Sequence, residues 1–181
     1  MKKLLFIFAF LLIAGCHKKE NQEASFNKLP IIKLPIDISS VKDAFVPADT
    51  LNLDNFLKKI TPAGLEIAGR LDANGEYKTL IFINRSSSYQ QPYLYTLSKY
   101  GEKIDSLELY KIVCGEKDDY WGVAHAYIGK DLKINLSDTA AIYKKENKNK
   151  MVKDSLNTAW DKYIYSIDDE GIIHNILCEG K

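Results

Sequence analysis

From Leu65 onward, apolar and polar residues alternate along most of this chain at a period of two, and that period predicts a mainly β protein. Leu65, Ile67 and Leu71 lead into Asp72-Ala73-Asn74-Gly75, whose Asn-Gly pair suits a turn with φ > 0. Leu80-Ile81-Phe82-Ile83 is apolar without a break, which predicts a strand covered on both faces. The polar stretch Ser86 to Pro92 reads as a loop before the strand Tyr93-Leu94-Tyr95-Thr96-Leu97. Lys99-Tyr100-Gly101-Glu102 turns that strand into Ile104 to Val113. Val123, His125 and Tyr127 alternate with Ala124, Ala126 and Ile128. After a turn at Gly129-Lys130-Asp131, Leu132, Ile134 and Leu136 alternate with Lys133 and Asn135, the mark of a half-exposed strand. Met151 to Lys162 is readable two ways. Val152, Leu156 and Ala159 or Trp160 have helical spacing, and a loop into the Tyr163 strand is the other reading.

Two departures from the period stand near the start. Leu-Pro-Ile occurs twice in Leu29 to Ile36, and proline biases itself and its predecessor to extended backbone, so this segment is expected as a strap laid on the domain. Asp49 or Thr50 is placed to cap a short helix through Leu51, Phe56, Leu57 and Ile60, ended by Thr61-Pro62. A weak repeat relates Tyr93-Leu94-Tyr95…Gly101 to Tyr163-Ile164-Tyr165…Gly171 at equal spacing. A duplicated module or propeller-like blades would produce it, but two ordinary hairpins explain it more simply. The fold class expected is mainly β, an antiparallel meander forming a curved sheet or barrel-like body, with one short N-terminal helix.

The first residues carry a different signal. Lys2 and Lys3 precede an apolar run from Leu4 to Ile13, shorter than the roughly 20 residues that span a bilayer. The run closes on Ile13-Ala14-Gly15-Cys16, which resembles the lipobox of bacterial lipoproteins. That resemblance implies removal of residues 1–15, acylation of Cys16 and a membrane-tethered domain in the cell envelope. The chain would be held to the outer membrane, facing the periplasm or the surface. His17 to Lys28 is polar apart from Phe26 and reads as a flexible tether. Its Lys18-Lys19-Glu20 is similar to the short charged signal that sends some Bacteroidota lipoproteins to the surface; a plain solvated linker explains it equally well. Residues 29–181 then form a single domain of ordinary size.

The chain has 25 Lys+Arg and 24 Asp+Glu, and loss of Lys2 and Lys3 would leave a formal charge near −1. Without a basic excess, nucleic acid is not an expected partner. The run Lys144-Lys145-Glu146-Asn147-Lys148-Asn149-Lys150 is expected as a solvated loop. Eleven Tyr, seven Phe and two Trp favour strands. With Cys16 assigned to lipid, Cys114 and Cys178 either stay as separate thiols or pair. A bond between them would close about 64 residues and stabilise by roughly 3–4 kcal/mol.

Candidate chemistry is sparse. Asp118-Asp119 followed by His125 has the residue types of an acid–base site, yet Gly115-Glu116-Lys117-Asp118-Asp119 also reads as a turn. Asp168-Asp169-Glu170-Gly171 has the same two readings, with the turn favoured. His125 and His174 each share an apolar strand face and are expected as satisfied core residues rather than metal ligands. No Ser elbow, phosphate loop, calcium loop or Cys/His cluster is present, so no catalytic residue, metal or cofactor is assigned. Tyr89, Tyr93, Tyr120 and Trp121 flank expected turns and form the candidate binding surface, on loops 85–92 and 115–122. The function expected is a non-enzymatic binding module for an envelope protein or a glycan. A small hydrolase using Asp118, Asp119 and His125, and a structural envelope component, are the alternatives.

Overall fold

The two-residue period becomes two antiparallel-rich sheets. The computed structural model describes residues 22–39, 45–49, 53–72, 76–85, 90–110, 120–142, 145–146, 150–151 and 157–180. The first sheet contains β1 (Ile31–Ile32), β3 (Leu65–Leu71), β4 (Tyr77–Asn84), β5 (Gln91–Ser98) and β6 (Lys103–Glu108), in the order β1-β3-β4-β5-β6. The second contains β2 (Ile36–Ser39), β7 (Tyr120–Ile128), β8 (Ile134–Ile142), β11 (Asn157–Ile167) and β12 (Ile173–Gly180), in the order β12-β11-β8-β7-β2. Among the described strands, only β1 pairs in parallel, with β3. Two short strands, β9 (Lys145–Glu146) and β10 (Lys150–Met151), pair with each other. The basic run expected as a loop therefore carries a small hairpin.

The protein is mainly β, as the alternation requires, but its strands form neither one curved sheet nor a closed barrel. They form two four-stranded meanders, β3–β6 and β7-β8-β11-β12. One cluster of buried residues joins Ala68, Leu71, Ile81, Ile83 and Leu94 of the first sheet to Ile38, Ala124, Ala126, Ile128, Ile134, Leu136 and Tyr165 of the second. Each sheet thus buries an apolar face against the other, as in a β-sandwich. In β4, Ile81 and Ile83 face that core while Leu80 and Phe82 enter a second one, so the continuous run is covered on both faces.

Helices supply the second cover. Residues 22–27 form α1, and Asn55–Ile60 forms α2. Phe26, Leu29 and Leu57 are buried against Ile67, Leu80, Phe82 and Leu97. Phe26 meets Phe56 edge-on at 5.3 Å between ring centroids. Residues 22–28 are therefore not tether: one aromatic at the right helical position gives this polar segment an anchor in the core. The N-cap of α2 is Asp54 rather than Asp49 or Thr50, and its Oδ1 accepts the Leu57 amide at 3.0 Å. Of the ambiguous segment, Met151 lies in β10, and from Asn157 the chain is strand, paired with both β8 and β12. Cross-strand pairing on two sides overrides helical spacing.

The strap is extended and serves both sheets. The Pro30 carbonyl accepts the Arg70 amide at 2.9 Å, β1 lies on β3, and four residues later β2 joins β7. Its backbone packs so closely that a Cβ on Gly69 would stand 2.6 Å from the Pro30 oxygen.

At the opposite rim the β11–β12 turn docks on the first sheet. The buried Thr96 hydroxyl donates to the Gly171 carbonyl at 2.6 Å, and Asp105 Oδ2 accepts the Ile173 amide at 2.9 Å. The Tyr-x-Tyr…Gly repeat falls on equivalent places, the last hairpin of each meander, so no propeller forms. Both turns are built alike. Gly101 and Gly171 take φ of +83° and +88°, which L side chains resist, and the first turn residue accepts two later amides. Ser98 Oγ accepts from Tyr100 and Glu102; Asp168 Oδ1 accepts from Glu170 and Ile172.

Candidate functional site

The first sheet has helices on its outer face, whereas the outer face of the second is open to solvent. Alternation in β7 puts Ala124, Ala126 and Ile128 inward and leaves His125 and Tyr127 outward. Registers across the sheet align Asp37, Tyr127, Asn135, Ile164 and Leu177 in one row. The next row runs His125, Ser137, Lys162 and Glu179, and Trp160 lies one row further, beside Thr139. Tyr127 is 44% exposed, Trp160 43% and Ile176 55%.

Where the β7–β8 turn meets the strap, this face holds a shallow open groove lined by Pro35, Tyr127, Lys130, Asp131, Lys133 and Asn135, with Gly129 at its side. Its turn has the same hydrogen-bond frame as the two glycine turns: the Gly129 amide donates to the Lys133 carbonyl at 2.9 Å, and Leu132 back to Gly129 at 3.1 Å. Here, however, the positive-φ position is Leu132, at +58°, and the capping position is Gly129. The Leu132 side chain packs on the central core. Capping passes to Asp131, whose Oδ1 accepts the Lys133 amide at 3.2 Å and whose Oδ2 lies 3.3 Å from the Lys133 ammonium. The Lys133 amide, and then its ammonium, hold the Asp131 carboxyl below the ordinary range, so it stays ionised and accepting.

The sequence candidates distribute unevenly over this picture. Tyr93 lies in β5, in the strand expected for it, and is half-buried against the helix-covered core, because Tyr93, Tyr95 and Leu97 share that face. Tyr120 and Trp121 open strand β7 rather than flanking it in a loop, with side chains outside the described residues. Cys16, Tyr89, Cys114, Asp118 and Asp119 also lie outside the described residues. Neither histidine is a core residue. His125 stands on the open face because Ala124 and Ala126 occupy the inward positions. His174 is exposed, with Nε2 2.7 Å from Asp168 Oδ2. That contact and the Ile172 and Glu170 amides keep Asp168 below the ordinary carboxylate range; the acidic block is a turn, as expected. Cys178 is an exposed free thiol on β12, opposite Tyr163.

Sequence reading assigned Tyr127, Asn135, Trp160 and the Lys130–Lys133 turn no site. The available signal was the smallness of Ala124 and Ala126, which suits the closely packed side of a strand and leaves its larger neighbours outward. Among the described residues, no group of three or more His, Cys, Asp or Glu side chains is placed to hold a metal ion. The groove offers an aromatic face, an amide, two ammonium groups and a carboxylate. Groups of these kinds are able to stack and to hydrogen-bond. Compared with protein-family models, curated proteins and solved structures, the chain matches none of them.

Proposed function

We propose that this protein is a non-enzymatic binding module, tethered to a bacterial envelope membrane through lipid on Cys16 and engaging its partner with the outer face of the second sheet. The observation that carries the reading is the asymmetry of cover. The central strands β3, β4 and β5 of the first sheet are buried on both faces, whereas the outer face of the second presents Tyr127, Trp160 and Ile176 to solvent among polar residues. Aromatic residues ringed by polar ones are the composition of contact surfaces. The lipobox-like Ile13-Ala14-Gly15-Cys16 supports the tether, and the lipid on Cys16 would make the membrane itself the first partner.

Site-specific photocrosslinking in intact cells tests this. A crosslinker replacing Trp160 should capture a discrete envelope protein or glycan conjugate. One replacing Tyr100, equally exposed but on the β5–β6 turn of the first sheet, should not. In Cys16→Ser, capture at position 160 should fall and the protein should leave the membrane fraction. Equal capture from both positions, or none from either, refutes the reading.

A further inference from the structure

Resting on that reading of the second sheet, we propose that the groove at Tyr127 binds a saccharide. The ring of Tyr127 is half-exposed, and its row neighbours on the same face are the polar side chains of Asp37 and Asn135. It is a single aromatic platform in polar surroundings, not part of a continuous apolar patch. The centre of a protein–protein contact is instead apolar and desolvated. A sugar ring fits the opposite description. It has an apolar C–H face to lay on an aromatic ring and a rim of hydroxyls, each both donor and acceptor.

The rim of the groove supplies both halves of that bonding. Lys130 and Lys133 donate, Asp131 accepts, and the Asn135 amide does both. Charges of both signs line the groove, with Asp131 and Lys133 paired at 3.3 Å. That balance suits a polyhydroxylated ligand over a strongly anionic or cationic one.

The backbone of the rim points the same way. Of three turns with one hydrogen-bond frame, only this one keeps a leucine at the positive-φ position and a glycine at the capping position. A Cβ at position 129 would stand 2.6 Å from Asp131 Oδ1, so the bare glycine is what lets the carboxylate sit at the edge of the groove. Strain retained where a relaxed alternative occurs twice in the same chain marks a site.

The test is calorimetric titration of the full chain in detergent micelles with oligosaccharide probes: hexamers of N-acetylglucosamine, glucose, mannose and galacturonate. At least one should bind. Tyr127→Ala should weaken that binding about tenfold or more, as loss of a stacking aromatic does. Tyr127→Phe keeps the ring and should stay within about threefold, and Tyr100→Ala, on the β5–β6 turn of the first sheet, should match the wild type. Both positions are exposed, so melting temperatures should be unchanged and affinity alone should move. If no probe binds, or if Tyr127→Ala binds like the wild type, the saccharide assignment falls. Should position 160 still capture a discrete protein in cells, only the ligand class is wrong; silence in both experiments removes the binding reading as well.

Discussion

Asp54 ties the two helices of the helix layer together. Its Oδ1 caps α2, while its Oδ2 accepts from the Ser25 hydroxyl at 2.6 Å and the Lys28 ammonium at 3.3 Å, tying the end of α1 to the start of α2. Burial pushes the carboxyl up, but the Ser25, Leu57 and Lys28 hydrogen bonds outweigh it and hold Asp54 below its ordinary value of 3.8. A carboxylate depressed in the folded state adds stability above its unfolded pKa. That stability is lost as pH falls through the folded pKa. Denaturation followed from pH 6 to pH 2 should therefore show a decline below about pH 4 that is reduced in Asp54→Asn. At pH 7, Asp54→Ala should cost about 1 kcal/mol in chemical unfolding, the usual cost of a lost N-cap.

For the elements, the instructive case is α1. Its sequence is polar enough to suggest a linker, and only Phe26 and Leu29 reach the core, where they are 1% and 3% exposed. Phe26→Ala should destabilise the domain by about 3–5 kcal/mol, and equilibrium unfolding would detect it at once. A linker residue would leave the transition unmoved. The strands were legible because alternation is a local property, and the double-sided burial of Leu80 to Ile83 showed in the missing alternation. The helix layer was not legible. A six-residue helix holds too few apolar positions to show a period, and its place is fixed by partners such as Phe56 and Leu80, far away in sequence. His125 and His174 were misplaced for a related reason. Alternation sorts residues into two faces but does not name the buried one, and in β7 the smaller residues are inside.

At the scale of the whole molecule, the two meanders meet along a rim where β6 and β12 are bridged by Asp105 and Thr96. Beyond that bridge β12 is an open edge ending in exposed residues, Cys178 among them. The folded protein should therefore take up iodoacetamide at Cys178 without reductant, as peptide mass mapping would register. Protection that reductant removes would mean that Cys178 is bonded to Cys114. The sandwich itself could not be derived from the sequence, since either closure of one sheet or stacking of two satisfies the same alternating strands. The strap has a mechanical consequence. Counting from the N-terminus, the chain enters through α1, crosses the first sheet in β1 and only then joins the second in β2. If the proposed anchor and partner are both in place, tension between them would run through α1 and the two-residue β1 on its way to β2. The strap would then act as a fuse: of the elements along that path, the two-residue pairing of β1 with β3 is the shortest, so the helix layer and β1 would yield before the second sheet.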